Sequence, residues 1–233
     1  MFKIIAQHPD FIVVNKEAGV NFHDEGEIGT GLHSLVKAQL KTQSLTTEAV
    51  ELFPVHRLDK MTSGLVIFAK NLAAAQAFGI LFSEHLIEKY YLAIADKKPV
   101  KKQGLIKGDM AKSRRGMLKL LRSMVNPAIT QFFSYSTINK QRLYLLKPHS
   151  GKTHQLRVAL ASIGAPIIGD PLYYSQSVAD RGYLHAYALR FDYLGDSFEF
   201  ICPPASGEYF LEESVSVQLA EIKKPWLVKW PKL

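Results

Sequence analysis

The sequence holds one cysteine, Cys202, so no disulfide can form within the chain. That usage fits a reducing, cytoplasmic setting. Beside Pro203 and Pro204 the thiol reads as core filler rather than as a nucleophile. No apolar run approaches the ~18 residues that a membrane span needs, so no membrane partner is expected. The opening MFKIIAQHPD turns polar too soon for a secretory signal. Internal repeats, low-complexity tracts and Pro/Gly/Ser-rich linkers are missing as well, which predicts one domain over residues 1–233. The eight histidines show no metal-type pairing with cysteine or carboxylates, so the residues predict no metal.

What is present begins with charge. The net charge of +8 is concentrated in one place. Between Lys97 and Arg122 ten basic residues face a single acid, Asp109, whereas the rest of the chain has nineteen basic and twenty acidic residues. A stretch such as KKPVKKQGLIKGDMAKSRRGMLKLLR suits a phosphate backbone. It suits a solvated basic hairpin equally well, and charge alone does not separate the two. The residues placed on RNA under the first reading are Lys112, Arg114, Arg115, Lys119 and Arg122.

With 47% apolar residues the chain can bury a core. Short apolar segments at 4–6 and 11–15, joined by His8-Pro9-Asp10, predict two strands. Leu32, Leu35, Val36 and Leu40 recur at helical spacing. A strand over 65–69 runs into Asn71, a good N-cap for the helical LAAAQAFGILF. Strands are expected over 89–95, 128–138 and 142–148. Thr153 is expected to cap a helix with Leu156, Leu160 and Ile163 on one face, ended by Gly164 and Pro166. LRFDYLGDSFEF predicts a hairpin turning at 194–196. The tail predicts an amphipathic helix over 208–222, with Trp226 and Trp230 anchoring the chain beyond it. Strands outnumber helices without regular βαβ alternation, which argues α+β.

The most informative segment is HRLDKMTSGL, residues 56–65. It places Asp59 before a Thr-Ser-Gly turn that leads into an apolar strand. An acid on a turn at a strand mouth is a plausible catalytic position. Asp and Ser are also ordinary turn residues, and spacing leaves both readings open.

The segment resembles the signature HRLDxxTSGxxxxAK of the RluA-type pseudouridine synthases. Further matches occur downstream in that family's order. KYYLAIA at 89–95 resembles its K-x-Y-x-A segment. SGKTHQLRVALASIGAPIIGDPLY at 150–173 resembles TGRxHQIRxHLxxxGxPIxGDxxYG, and LHAYALRF at 184–191 resembles LHAxxLxF. The opening DFIVVNKEAGVNFH is similar to D-xx-hydrophobic-VxKPxGxxxH. Together the matches span roughly residues 10–205, leaving a C-terminal tail over about 206–233. The resemblance implies a mixed, largely antiparallel sheet flanked by helices and loops, with a central cleft. It also implies a compact form without the S4-like RNA-binding module.

The activity implied is cofactor-free isomerisation of uridine to pseudouridine in a ribosomal or transfer RNA stem-loop. The N1–C1′ bond breaks, the flipped base turns, and C5 rejoins C1′. By its motif position Asp59 is the essential carboxylate, as a nucleophile at C1′ or through a glycal route. A carboxylate doing this must be ionised, and burial opposes ionisation, so it needs a cation. Arg157 matches the family's arginine partner, expected as a bidentate fork. Read alone, Arg157 is an ordinary solvated helix arginine.

Tyr91 matches the pocket tyrosine, whose ring can stack on uracil and whose hydroxyl could help remove the C5 proton. Its neighbour Tyr90 points to the opposite strand face. Without the resemblance both are default core tyrosines. Leu184 matches an apolar residue packing against the base, although by itself it is any core leucine. Arg57 is expected to fill the gap that the flipped nucleotide leaves. His56 and His154 are expected to orient the catalytic turns through hydrogen bonds. Lys152 stands where the family has arginine, keeping charge but losing the planar fork in a phosphate contact. Ser150 replaces threonine and Glu17 replaces proline, departures that remove no catalytic group.

Two other readings compete. One is a catalytically silent RNA-binding module on the same fold, which the intact set of Asp59, Tyr91 and Arg157 argues against. The other is a glycoside hydrolase, which needs two flanking acids. Asp170 is the nearest second acid, but it falls in a Gly-Asp-Pro segment read as a structural turn. The expected partner is RNA, and the expected state is a monomer.

Overall fold

The computed structural model describes residues 1–43, 51–138 and 141–233. Its backbone divides into two compact units, Met1–Ile87 and Glu88–Leu233.

In the first unit, β1 (Phe2–Gln7) and β2 (Phe11–Lys16) form an antiparallel pair. Their turn is closed by His8, whose amide donates to Phe11 O at 2.8 Å. The other edge of β2 pairs antiparallel with β4 (Ser63–Ala69), in a register from Phe11 opposite Ala69 to Lys16 opposite Gly64. The short β3 (Phe53–Pro54) meets the end of β4. All seven residues of β4 are buried. Its unbroken apolar run is what a strand covered on both faces requires.

Two helices complete this unit, α1 (Leu32–Gln43) and α2 (Leu72–Ser83). Leu32, Val36 and Leu40 form the buried stripe of α1, as their spacing predicts. Asn71 caps α2, its Oδ1 accepting the Ala74 amide at 2.8 Å. Phe78 of α2 then meets Phe11 edge-on at 5.4 Å.

The second unit is built around β5 (Glu88–Ala95). On one side lies β11 (Leu184–Tyr193); on the other lie β10 (Arg142–Pro148), β9 (Ala128–Ser136) and β6 (Gln103–Gly108) in that order. β12 (Asp196–Ile201) folds back on β11. Each of these pairings is antiparallel.

The β11–β12 turn is Leu194-Gly195, with φ of 51° and 93°. Two positive φ values give the mirror-image turn that matches strand twist, and glycine supplies the second without strain. A separate hairpin pairs β7 (Met110–Lys112) with β8 (Leu118–Leu120). Helices α3 (Gln155–Ser162) and α4 (Glu213–Glu221) come after β10 and β12. No helix among the described residues is long and apolar enough to cross a membrane.

Three expectations need correction. Thr153 does not cap α3; the cap position is His154, which is left-handed at φ 57° and makes no side-chain cap bond. Burial in α3 is wider than the expected face: six consecutive residues from Gln155 to Leu160 are buried, and only its last turn reaches the surface. The tail helix starts at Glu213 rather than near 208. The loop before it is tied elsewhere: Glu208 donates its amide to Asp180 and Tyr209 to the Tyr183 hydroxyl.

Candidate active site

Asp59 sits half-buried in the loop entering β4. Its carbonyl accepts the Thr62 amide at 3.0 Å, closing a turn over residues 59–62. Two side chains pin that turn. His56 accepts the Ile67 amide on Nε2 at 2.9 Å, so its ring is neutral at that nitrogen. The ring packs on Phe82 at 4.8 Å.

Lys16, fully buried, sends its ammonium to the carbonyls of Val20 (2.7 Å), Glu17 (3.0 Å) and Lys60 (3.1 Å). The Lys60 carbonyl also accepts the Gly19 amide at 2.8 Å. The backbone immediately after Asp59 is therefore held by the opening segment, with Lys16 lying 44 residues before Lys60. Sequence reasoning assigned Lys16 no role. The signal was a lysine ending the otherwise apolar FIVVNK, since a charge buried at 0% exposure requires fixed partners. Arg57 is exposed, where it can reach a ligand.

In the second unit, β5 separates its two tyrosines as strand alternation requires. Tyr90 is fully buried and bonds Glu88 Oε2 at 2.9 Å. It lies under the tail, 6.2 Å from Trp226 and 5.8 Å from Trp230. Burial and the Glu88 carboxylate push its hydroxyl far above the ordinary tyrosine range, so it cannot serve as an acid or base near neutral pH.

Tyr91 faces the other way and is part-exposed. In the β5–β11 register it lies opposite Ala186, with Leu184 opposite Ala93. Tyr91 and Leu184 are thus diagonal neighbours on one face, an aromatic ring beside an apolar side chain. Lys89 shares that face, and burial lowers its ammonium from the ordinary lysine value.

Beside Leu184, His185 is 1% exposed, with Nε2 2.7 Å from Cys202 O. Desolvation drives this imidazole down to about 4. The unfolded chain takes up the proton near pH 6.5, whereas the folded chain resists until about 4. The contribution is therefore complete above pH 6.5 and vanishes as pH falls to about 4, a span worth roughly 3 kcal/mol. Urea unfolding across that window should show the loss, and His185→Gln should remove that component of it. An unchanged pH profile in His185→Gln would place the acid sensitivity elsewhere.

Arg157 lies in the first turns of α3 and is 6% exposed. Its Nε and Nη2 donate to Asp170 Oδ2 and Oδ1, each at 2.7 Å. This is the side-on bidentate geometry of a strong guanidinium–carboxylate pair. Asp170 is completely buried, and its Oδ1 also accepts the amides of Leu172 (2.9 Å) and Tyr173 (3.0 Å). It is the turn residue expected, and it is also a buried ionic partner. The turn demands glycine at 169, where φ is 71° and a Cβ would collide with the Arg181 carbonyl. The Arg157 guanidinium further stands 5.1 Å over the ring of Tyr173.

The Lys152 ammonium bonds the Asn126 carbonyl, in the loop between β8 and β9. Lys112, Arg114, Arg115, Lys119 and Arg122 are all exposed on the β7–β8 hairpin and its flanks. Arg114 and Arg115 stand at the tip, between the Ser113 and Met117 backbone groups that close it. No group of three or more His, Cys, Asp or Glu among the described residues could hold a metal ion.

The family model for RNA pseudouridylate synthase matches residues 10–162, about two thirds of the chain. The chain belongs to that family. Its members are isomerases that act on RNA. A Haemophilus influenzae protein, described as an uncharacterized RNA pseudouridine synthase, is 47% identical over 97% of this chain and 99% of its own length. The ribosomal large subunit pseudouridine synthase C of Rickettsia bellii is 33% identical over 73% of this chain, which spans 56% of that longer protein. Among solved structures, human RNA pseudouridylate synthase domain containing 1 shares the fold, with a TM-score of 0.74 over 100% of this chain and 97% of that one at 24% identity. The α+β class and the motif resemblance expected from sequence agree with these matches.

Proposed function

We propose that this family member converts uridine to pseudouridine in ribosomal RNA, in the cytoplasm and as a monomer, with Asp59 as the catalytic carboxylate. The reading rests chiefly on the Asp59 turn, a half-buried acid flanked by backbone that Lys16 holds at Lys60 and His56 holds at Ile67. A reacting carboxylate has to be held in position in this way.

Asp59 acts at the sugar while the N1–C1′ bond breaks. Tyr91 and Leu184 hold the released uracil as it turns. C5 bonds to C1′, the C5 proton departs and N1 regains one, so the product is an isomer and no cofactor is consumed. Arg157 supplies the positive charge that favours the ionised carboxylate. Arg57 fills the space that the base vacates, and the β7–β8 hairpin carries phosphates. A ribosomal target is favoured by the names of several relatives, among them the large-subunit enzyme of Rickettsia bellii.

The test is pseudouridine mapping on RNA from cells lacking the gene, after incubation with the protein and separation of ribosomal from transfer RNA. Discrete new sites in the ribosomal fraction are expected. Sites confined to transfer RNA would redirect the substrate. Binding without any new site would leave a silent RNA-binding module.

A further inference from the structure

Tyr173 touches four parts of the second unit at once. Its hydroxyl accepts the amide of Leu118 in β8 at 2.9 Å. The same oxygen lies 3.2 Å from His154 Nδ1, at the left-handed residue that starts α3. Its ring meets the His154 ring edge-on at 5.8 Å and carries the Arg157 guanidinium on its face. Its own amide donates to Asp170, the buried partner of Arg157. An oxygen that accepts from Leu118 keeps a hydrogen-bonding position for the His154 ring nitrogen 3.2 Å away, which makes a continuous path from hairpin to helix.

From this geometry we propose that Tyr173 is a positioning residue coupling the basic hairpin to Arg157. Grip of RNA phosphates by Arg114 and Arg115 shifts β8, the Tyr173 hydroxyl moves with Leu118, and the start of α3 settles with Arg157 in its working position. The inference rests on the reading of the hairpin as an RNA grip. Other ties between these regions do not pass through Tyr173: α3 packs directly on β8, Lys152 bonds the Asn126 carbonyl, and Gln155 Nε2 bonds Ile129 O at 3.0 Å and Thr130 Oγ1 at 3.1 Å. The hairpin therefore stays attached when the hydroxyl is removed, and what is lost is the hydrogen-bonded link from Leu118 of β8 to His154.

Tyr173→Phe deletes the hydroxyl and keeps the ring beneath Arg157. On ribosomal RNA from cells lacking the gene, it should lower kcat about ten-fold with KM changed less than about three-fold. Arg114→Ala/Arg115→Ala should mainly raise KM. With the relay already cut, the combined variant should lose less in kcat/KM than the product of the two separate losses.

A second readout needs no turnover. Hydrogen exchange with the same RNA bound should show protection at both the hairpin and residues 155–158 in the wild type, but at the hairpin alone in Tyr173→Phe. Strictly multiplicative kinetic losses, or wild-type-like protection of α3 in Tyr173→Phe, would overturn the coupling. A lower Tm with unchanged kcat and unchanged exchange pattern would reduce Tyr173 to a structural role. If the wild type makes no pseudouridine, the functional reading fails, and the exchange experiment still decides the coupling.

Discussion

Asp59→Asn is expected to lower pseudouridine formation on the order of 10³-fold or more while leaving RNA affinity and Tm close to wild type. The substitution removes charge and nucleophilicity but almost no volume. The turn survives because it is made by backbone, the Asp59 carbonyl accepting the Thr62 amide. The clamps from Lys16 and His56 also end on backbone groups, at the Lys60 carbonyl and the Ile67 amide. A collapse of Tm is therefore not expected, and lost activity would report on chemistry. Asp59→Glu keeps the charge and moves it outward by one methylene. It should still lose about 10²-fold, since misplacement of about 1 Å costs that much. Single-turnover rates with saturating protein separate chemistry from binding. Wild-type rates in Asp59→Asn would remove the aspartate from the mechanism.

The second large effect concerns stability. Arg157→Ala leaves Asp170 completely buried, its charge met by the Leu172 and Tyr173 amides instead of a guanidinium. Breaking one side of a buried ion pair costs about 3–5 kcal/mol, which corresponds to a fall in Tm of roughly 10 °C. Asp170→Asn in the same protein keeps an oxygen for the two amides and removes the uncompensated charge. Arg157→Met/Asp170→Asn should therefore recover a large part of the lost stability, about 2 kcal/mol on that argument.

Activity is expected to behave differently. If the positive charge of Arg157 serves the catalytic carboxylate, the double variant stays inactive although it is stable. Urea midpoints measured beside single-turnover rates test this directly. Recovery of both together would limit Arg157 to holding α3 against the 169–173 turn.

Elements whose burial depends on local pattern were legible. β4 reads as an apolar run, α1 as a stripe at helical spacing, α2 as an Asn-capped apolar segment, and the Leu194-Gly195 turn as a break between two amphipathic strands. Each rule involves neighbours a few residues apart, and the structure obeys each. Strand alternation, also local, placed Tyr90 and Tyr91 on opposite faces, and the resemblance to K-x-Y is what selected Tyr91.

The region after β5 was not legible in this way. Its lysines and arginines mask β6 and the β7–β8 hairpin, whose short strands carry too few apolar residues for a period to show. The start of α3 misled because the Thr153 rule is local. His154 takes the cap position in a left-handed backbone, with its ring against Tyr173, nineteen residues later.

By itself the sequence determined the family resemblance and the class of fold, and it named the residues proposed for the chemistry. The motifs that place Asp59, Tyr91, Arg157 and Leu184 are contiguous strings, and strand and helix periods can be counted along them. Only the tertiary structure decided what those residues lean on. Lys16 reaches Lys60, Arg157 reaches Asp170, and Tyr173 reaches Leu118, fifty-five residues earlier in sequence. Such bonds form because a buried charge or polar group must find a partner wherever folding places one. That requirement fixes that a partner exists, and the path of the chain through space fixes which residue it is.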